Sequence, residues 1–250
     1  MEGSIGIVIP AYEPDVPALV SYVDDIRTAI PVETVRVELD MEKQQTIHHE
    51  FSALDAEINV VGTRRGKGAA ITRGFDSLNT DILAFADADG STPVGSLVDV
   101  VWGVSEADLS VGSRRHPEAE IVGSQDPLRQ YMGDVFARAV RTVLAVDLYD
   151  FQCGAKALTS DAWEMLRSDI TETGFAWDLE VIGMAHAHGF DIAEVPVEWE
   201  DKPGSTVDPI ATTFDLARAL VAINHRMQLH DDSQLHQIMS SIRRLSTVDQ

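Results

Sequence analysis

Residues Leu83 to Pro93 read Leu-Ala-Phe-Ala-Asp-Ala-Asp-Gly-Ser-Thr-Pro. An apolar run of strand length ends on two carboxylates spaced two apart, and a glycine turn follows. Side chains at i and i+2 of a strand leave the same face, so Asp87 and Asp89 can aim at one point. In an open α/β sheet that point lies beyond the strand's carboxyl end, where ligands bind. Two hard oxygen donors there suit Mg²⁺ or Mn²⁺, cations that keep waters and share their remaining sites with phosphate. An acidic turn in an acid-rich chain is the competing reading, so the rest of the chain has to be weighed with it.

Outward from this strand, helix and strand patterns alternate. Ile5–Pro10, Val35–Leu39, Glu57–Val61, Ile82–Ala86 and Asp108–Gly112 read as short apolar or alternating strands. Val16–Ala29 and Lys67–Ser77 carry apolar residues at helical spacing. That alternation predicts an α/β fold, a mostly parallel Rossmann-like sheet with helices on both faces. From Pro127 the pattern changes: Met132, Val135, Phe136, Ala139, Val140, Val143 and Leu144 recur at spacings of three and four. This is an amphipathic helix, suited either to a core or to a membrane surface. Ala193–Trp199 reads as a late strand and Asp208–Leu229 as a last amphipathic helix. Residues 1–230 then make one domain, and 231–250 a polar tail.

Acidic residues outnumber basic ones 41 to 19, for a formal net charge of −22. Such a chain is no general polyanion binder, so nucleic acid is excluded as a partner. Acidic charge spread along the chain, with very little lysine, predicts adaptation to high salt. Lysine occurs only at Lys43, Lys67, Lys156 and Lys202, and three of these fall in the motifs below. The single cysteine, Cys153, rules out an internal disulfide. No apolar run nears the roughly 18 residues of a membrane span, and no signal-peptide layout is present. A cytoplasmic location is expected.

Gly66-Lys67-Gly68-Ala69-Ala70 follows a strand and starts a helix, where glycines let a backbone approach an anion. Arg73 lies further along the same helix. Arg114 and Arg115 follow Gly112-Ser113, and Arg129 comes after a polar loop; guanidinium groups there can grip a phosphate. Asp150 to Lys156 mixes polar and small residues in an apolar region, as a buried polar turn or a site would. Asp178 and Glu180 stand at a helix start, where a capping role is the plain alternative for Asp178. Lys202 to Thr206 follows a strand and can close over a ligand.

Taken in order, these segments resemble family 2 glycosyltransferases with the GT-A fold, and in particular their dolichyl-phosphate glucosyltransferase and mannosyltransferase branch. The resemblance runs from about Ile5 to Met227. Asp87-Ala88-Asp89 resembles the family's metal and nucleotide-sugar motif, and Gly66 to Ala70 its helix start. Gly112-Ser113-Arg114 is similar to its Gly-Ser-Arg, and Asp150 to Lys156 to its Asp-Thr-Gln-Cys-Gly-Phe-Lys. Phe175 to Glu180 and Glu194-Val195-Pro196-Val197 match two further segments. The resemblance implies an inverting transfer of a hexose from a nucleotide diphosphate sugar (UDP- or GDP-hexose) to a polyprenyl phosphate. It implies peripheral contact with the cytoplasmic membrane face.

On that resemblance, Pro10, Tyr12, Glu13, Asp40, Lys67, Arg73, Asp87, Ala88 and Asp89 bind the nucleotide sugar. Asp87 and Asp89 hold Mg²⁺ or Mn²⁺. Arg114, Arg129 and Lys202 bind the acceptor phosphate, and Asp89 and Asp178 are the catalytic pair. Three departures stand out. Pro14 occupies a usual glutamate position, the second strand ends Glu38-Leu39-Asp40-Met41-Glu42 where the family has Asp-Asp-Gly-Ser, and Thr206 replaces the lysine of a late Gly-Ser-Lys. They keep a non-catalytic homologue open, and the lack of a membrane span keeps open the same fold acting on a hydroxyl acceptor, with Asp178 as base.

Overall fold

Strand β4 (Ile82–Ala86) is buried on both faces. Ile82, Ala84 and Ala86 join one apolar cluster, while Leu83 and Phe85 join the other. A strand lacking any polar position is what a sheet covered by helices on both sides requires. The computed structural model describes residues 3–41, 51, 53–122, 127–200 and 215–230, with backbone alone at 127–129.

Around β4 lies a seven-stranded sheet of order β3-β2-β1-β4-β7-β5-β8. Its members are β1 (Ile5–Tyr12), β2 (Thr34–Asp40), β3 (Glu57–Val61), β5 (Leu109–Ser113), β7 (Ala155–Thr159) and β8 (Ile192–Pro196). All neighbours run parallel except β7, which is antiparallel to both β4 and β5. A small parallel pair, β6 (Glu120–Val122) with β9 (Glu198–Glu200), stands apart.

One face is covered by α1 (Val16–Ala29) and α3 (Val94–Gly103), which bury Leu19, Val23, Ile26, Leu97, Val100 and Val101. Asp15 caps α1, its carboxylate accepting the Ala18 amide at 3.0 Å. The other face holds α2 (Lys67–Ser77), α4 (Pro127–Leu144), α5 (Ser160–Leu166), α6 (Trp177–Ala187) and the C-terminal helix α7 (215–230). Phe75, Phe85, Trp163 and Trp177 meet there in edge-on and tilted contacts, 5.2 to 6.4 Å between ring centres.

The predicted α/β architecture, with helices on both faces, is the one found. Four elements have no counterpart in the sequence reading: α3, α5, the short β6 and the antiparallel β7. The expected strand Ala193–Trp199 divides at Val197. Its amide bonds Ser113 O and its carbonyl accepts the Glu120 amide, so the chain leaves the main sheet to build the small one. The start of the expected Asp208–Leu229 helix and the tail 231–250 lie outside the described residues.

The chain order reverses between β1 and β4, since β2 and β3 lie beyond β1 while the later strands lie beyond β4. A crevice opens beyond the carboxyl ends of strands at such a switch point. Here those ends are Pro10–Tyr12 of β1 and Asp87–Asp89 after β4. Because β7 runs the other way, the segment before it crosses the same carboxyl edge and brings Asp150, Cys153 and Gly154 there.

Candidate active site at the carboxyl edge of the sheet

Asp87 is anchored as β4 ends, its amide donating to Gly154 O at 2.9 Å. A Cβ on Gly154 would stand 1.9 Å from Asp87 Oδ2, so glycine here leaves the Asp87 carboxylate its place. Asp89 is exposed, and its Oδ1 accepts the Ser91 amide at 2.9 Å in the turn through Gly90. Ala88 between them is half-buried.

Lys67 reaches across from α2 and ties two acids together. Its Nζ is 2.9 Å from Asp87 Oδ1 and 3.2 Å from Asp178 Oδ2. Asp178, in the first turn of α6, gives its other oxygen to Lys156 Nζ at 2.6 Å. Lys156, from β7, also donates to Cys153 O at 2.8 Å. Lys156 and Asp178 are 1% and 2% exposed. Both Asp178 oxygens are engaged by lysines, so the capping role considered for it is not what its side chain does.

The charges follow from this wiring. Burial opposes the Asp178 carboxylate, but Lys156 and Lys67 hold its pKa below the ordinary range. Burial also opposes the Lys67 ammonium, yet Asp178 and Asp87 push its pKa up. Asp87 is shifted upward, first by burial and then by the carboxylates of Asp89 and Asp178, against the pull of Lys67. Burial is thus the main cost at Asp87, with Lys67 as its close counter-charge and two further carboxylates nearby.

Two glycines of the α2 start are explained by packing. Gly66 has φ +105°, and a Cβ on it would lie 2.4 Å from Thr173 O; one on Gly68 would lie 2.6 Å from Trp177 Cβ. The Ala69 amide donates to that same Thr173 carbonyl at 3.0 Å. The close approach these glycines permit is to the loop before α6, and it sets Lys67 beside Asp178.

The early half of the site is a second charged network. Asp40, at the end of β2, accepts the Arg65 amide at 2.7 Å and pairs with Arg73 at 3.1 Å. Arg73 also pairs with Glu38 at 3.0 Å, which bonds Asn59 and Arg36 as well. Arg73 therefore orders β2 and β3 against α2 and is not turned toward the Asp87–Asp89 pair. Tyr12 ends β1 with the Arg64 guanidinium 4.2 Å from its ring centre. Half-buried Pro10 precedes it, and Glu13 turns the chain into α1 at φ 46°, the left-handed region uncommon for such a residue.

Arg114 is held edge-on by Asp150, with Nε to Oδ2 at 2.6 Å and an Nη2 to Oδ1 at 3.0 Å. Asp150 is itself steadied by Glu194, which accepts the Tyr149 and Asp150 amides. Arg115 pairs with Asp134 on α4. Lys202 and the Arg129 side chain lie outside the described residues. Lys156, Asp150, Glu38 and Glu194 were not assigned roles from sequence. The rarity of lysine flagged Lys156, but nothing local showed that it would meet Asp178.

No protein-family model matches the chain. It is 36% identical to glycosyltransferase AglD of Haloferax volcanii over 147 residues, which make 58% of this chain and 23% of AglD. It is 29% identical to the dolichyl-phosphate β-glucosyltransferase of Dictyostelium discoideum over 171 residues, 66% of this chain and 52% of that one. The chain thus spans about a quarter to a half of these relatives. Among solved structures, glucosyl-3-phosphoglycerate synthase of Mycobacterium tuberculosis, in complex with Mn²⁺, UDP and glucosyl-3-phosphoglycerate, superposes with a TM-score of 0.63 at 16% identity. That match covers 90% of this chain and 80% of the synthase chain. The chain carries the GT-A glycosyltransferase fold, and its sequence resembles the dolichyl-phosphate β-glucosyltransferases.

Proposed function

We propose that this protein transfers a hexose, with inversion, from a nucleotide diphosphate sugar to a polyprenyl phosphate. The acceptor in the names of its relatives supports the lipid phosphate, and the UDP bound by the structural neighbour supports a uridine donor. Asp87 and Asp89 would hold Mg²⁺ or Mn²⁺: two carboxylates, hard oxygen donors, gather at the carboxyl end of β4. When bound, the ion neutralises charge on the diphosphate as it leaves.

The observation that carries the choice of acceptor is the state of Asp178. A general base works best with a pKa near the operating pH and a free lone pair. Asp178 is buried, held below the ordinary range, and bonded by an ammonium at each oxygen. That suits an acceptor already ionised, and a phosphate monoester, with its second pKa near about 6, needs no base. Asp178 then positions Lys67 beside Asp87, and Lys67 brings positive charge to the donor's phosphates. Pro10, Tyr12, Glu13 and Ala88 would line the base and sugar, with Asp40 and Arg73 as the wall behind them. Arg114, with Arg129 and Lys202, would face the acceptor phosphate.

Contact with lipid is assigned to α4, whose Tyr131, Met132 and Val135 stand exposed. No helix among the described residues is long and apolar enough to cross a membrane. The reading is tested by thermal-shift screening of UDP and GDP with Mg²⁺ or Mn²⁺, at low and multimolar salt. Transfer of labelled hexose to polyprenyl phosphate and to hydroxyl acceptors is then assayed with the donor that binds. A metal-dependent shift and transfer to the lipid phosphate alone are expected; transfer to hydroxyls alone would replace this reading.

A further inference from the structure

A cluster away from the carboxyl edge gathers residues from three elements. Asp169 follows α5, His188 closes α6, and His230 ends α7. One carboxylate oxygen and one ring nitrogen from each histidine lie within 4.8 Å of one another. His188 Nε2 and Asp169 Oδ2 are 2.8 Å apart. The two imidazoles face each other at 4.2 Å between centres, tilted by 35°. All three residues are half-buried, and the Phe190 ring, 5.7 Å from that of His188, walls one side.

We propose that Asp169, His188 and His230 form a second divalent-cation site, of the zinc-binding type. Imidazole nitrogens select Zn²⁺ and its neighbours over Mg²⁺, which sets this cluster apart from the all-oxygen Asp87–Asp89 pair. Three protein ligands leave a fourth, tetrahedral position for water. Ligand atoms about 2.0–2.2 Å from such an ion stand roughly 3.3 Å apart, so binding would have to draw the 4.8 Å spread in and turn the two imidazole planes toward a common point.

The site would staple α7 to the domain. That helix already lays Ile223 and Met227 into the core and sets Arg226 against Glu180 at 2.5 Å. Glu180 also accepts the Thr171 and Glu172 amides, in the loop that leads from Asp169 to α6. A cation at His188 and His230 fastens the far end of the same contact. The role is structural and independent of the sugar-transfer reading.

The test uses the untagged full chain with Co²⁺ as a spectroscopic probe, in excess Mg²⁺ to occupy the carboxylate pair. One equivalent of Co²⁺ should give the intense visible bands of a tetrahedral site, in the wild type and in Asp89→Asn alike. Zn²⁺ should bleach them and raise Tm. His230→Gln and His188→Gln should lose the bands and the Zn²⁺-dependent rise, while His230→Gln keeps a near-wild-type Tm in chelator. Loss of a mere supporting partner of a metal ligand costs 10–100-fold in affinity, so loss of His230 should cost at least about 100-fold. Absence of tetrahedral bands in the wild type overturns the proposal. So do bands that survive His230→Gln, or bands that vanish with Asp89→Asn.

Discussion

Lys156 Nζ lies 2.6 Å from Asp178 Oδ1, and neither side chain reaches solvent appreciably. Removing one partner of such a pair strands a buried charge, at a cost of 3–5 kcal/mol. Asp178 keeps Lys67 at 3.2 Å, so Lys156→Met should cost about 3 kcal/mol in urea denaturation. Adding Asp178→Asn removes the stranded charge and should recover part of that loss. Strictly additive losses would mean that the two residues do not act as a pair.

Asp89→Asn should abolish transfer with the fold intact. The Ser91 amide donates to Asp89 Oδ1 at 2.9 Å, and an Asn amide oxygen can accept in its place, so thermal unfolding should be nearly unchanged. What is lost is the negative charge that a hard cation needs. Near-normal turnover in this variant, with Mg²⁺ or Mn²⁺ present, would remove the central assignment.

Asp150 governs an acid limb of stability. Burial opposes its charge, but Arg114 outweighs burial and holds its pKa well below the ordinary carboxylate range. A carboxylate depressed in the folded state contributes stability that is complete above its unfolded pKa of about 3.9 and lost as pH falls below that value. The stability gap between wild type and Asp150→Asn should therefore be constant from about pH 5 upward and narrow below about pH 4. Urea midpoints across that range measure it, and a gap that widens in acid would contradict the assignment.

Gly68→Ala should destabilise although alanine is the better helix former. The new methyl would meet Trp177 Cβ at 2.6 Å and Glu172 O at 2.7 Å. Overpacking of this kind costs typically 1–3 kcal/mol, which for a chain of this size lowers Tm by roughly 2–4 °C per kcal/mol. A calorimetric scan showing an unchanged or raised Tm would mean that the α2–α6 contact is looser than described.

Vesicle binding should rise with salt. A chain of formal net charge −22 is repelled by anionic lipid, and the Debye length shrinks from about 10 Å at 0.1 M to 3 Å at 1 M. Once that repulsion is screened, the exposed Tyr131, Met132 and Val135 can insert. Met132→Ser with Val135→Ser should lower co-sedimentation with vesicles at every salt concentration while leaving Tm unchanged. Binding that falls steadily with salt would point to attraction through a basic patch instead.

The Asp87–Asp89 strand end, the alternation behind it and the helix Val16–Ala29 were legible locally, because period is a property of neighbouring residues. Residues 82–86 read as a strand for the same reason, and its burial on both faces follows from having no polar position. Strand β7 was not legible. Ala155–Thr159 is short, follows a polar turn and contains Lys156, and its place between β4 and β5 rests on partners tens of residues away. The division at Val197 was hidden likewise, since hydrogen bonds to Ser113 and Glu120 impose it on an otherwise continuous strand pattern.

By itself the sequence determined the α/β class, the edge of the sheet where the carboxylates gather and the order of the motifs, because these depend on side-chain period and local turns. Only the tertiary structure decided which charges meet. It turned Arg73 to Glu38 and Asp40, closed Asp150 on Arg114, and placed Asp178 between Lys67 and Lys156. Ion pairs between residues far apart in the chain are set by how strands and helices pack. A buried charge takes whichever opposite charge the fold brings within reach, and the spacing of residues along the chain does not encode that choice.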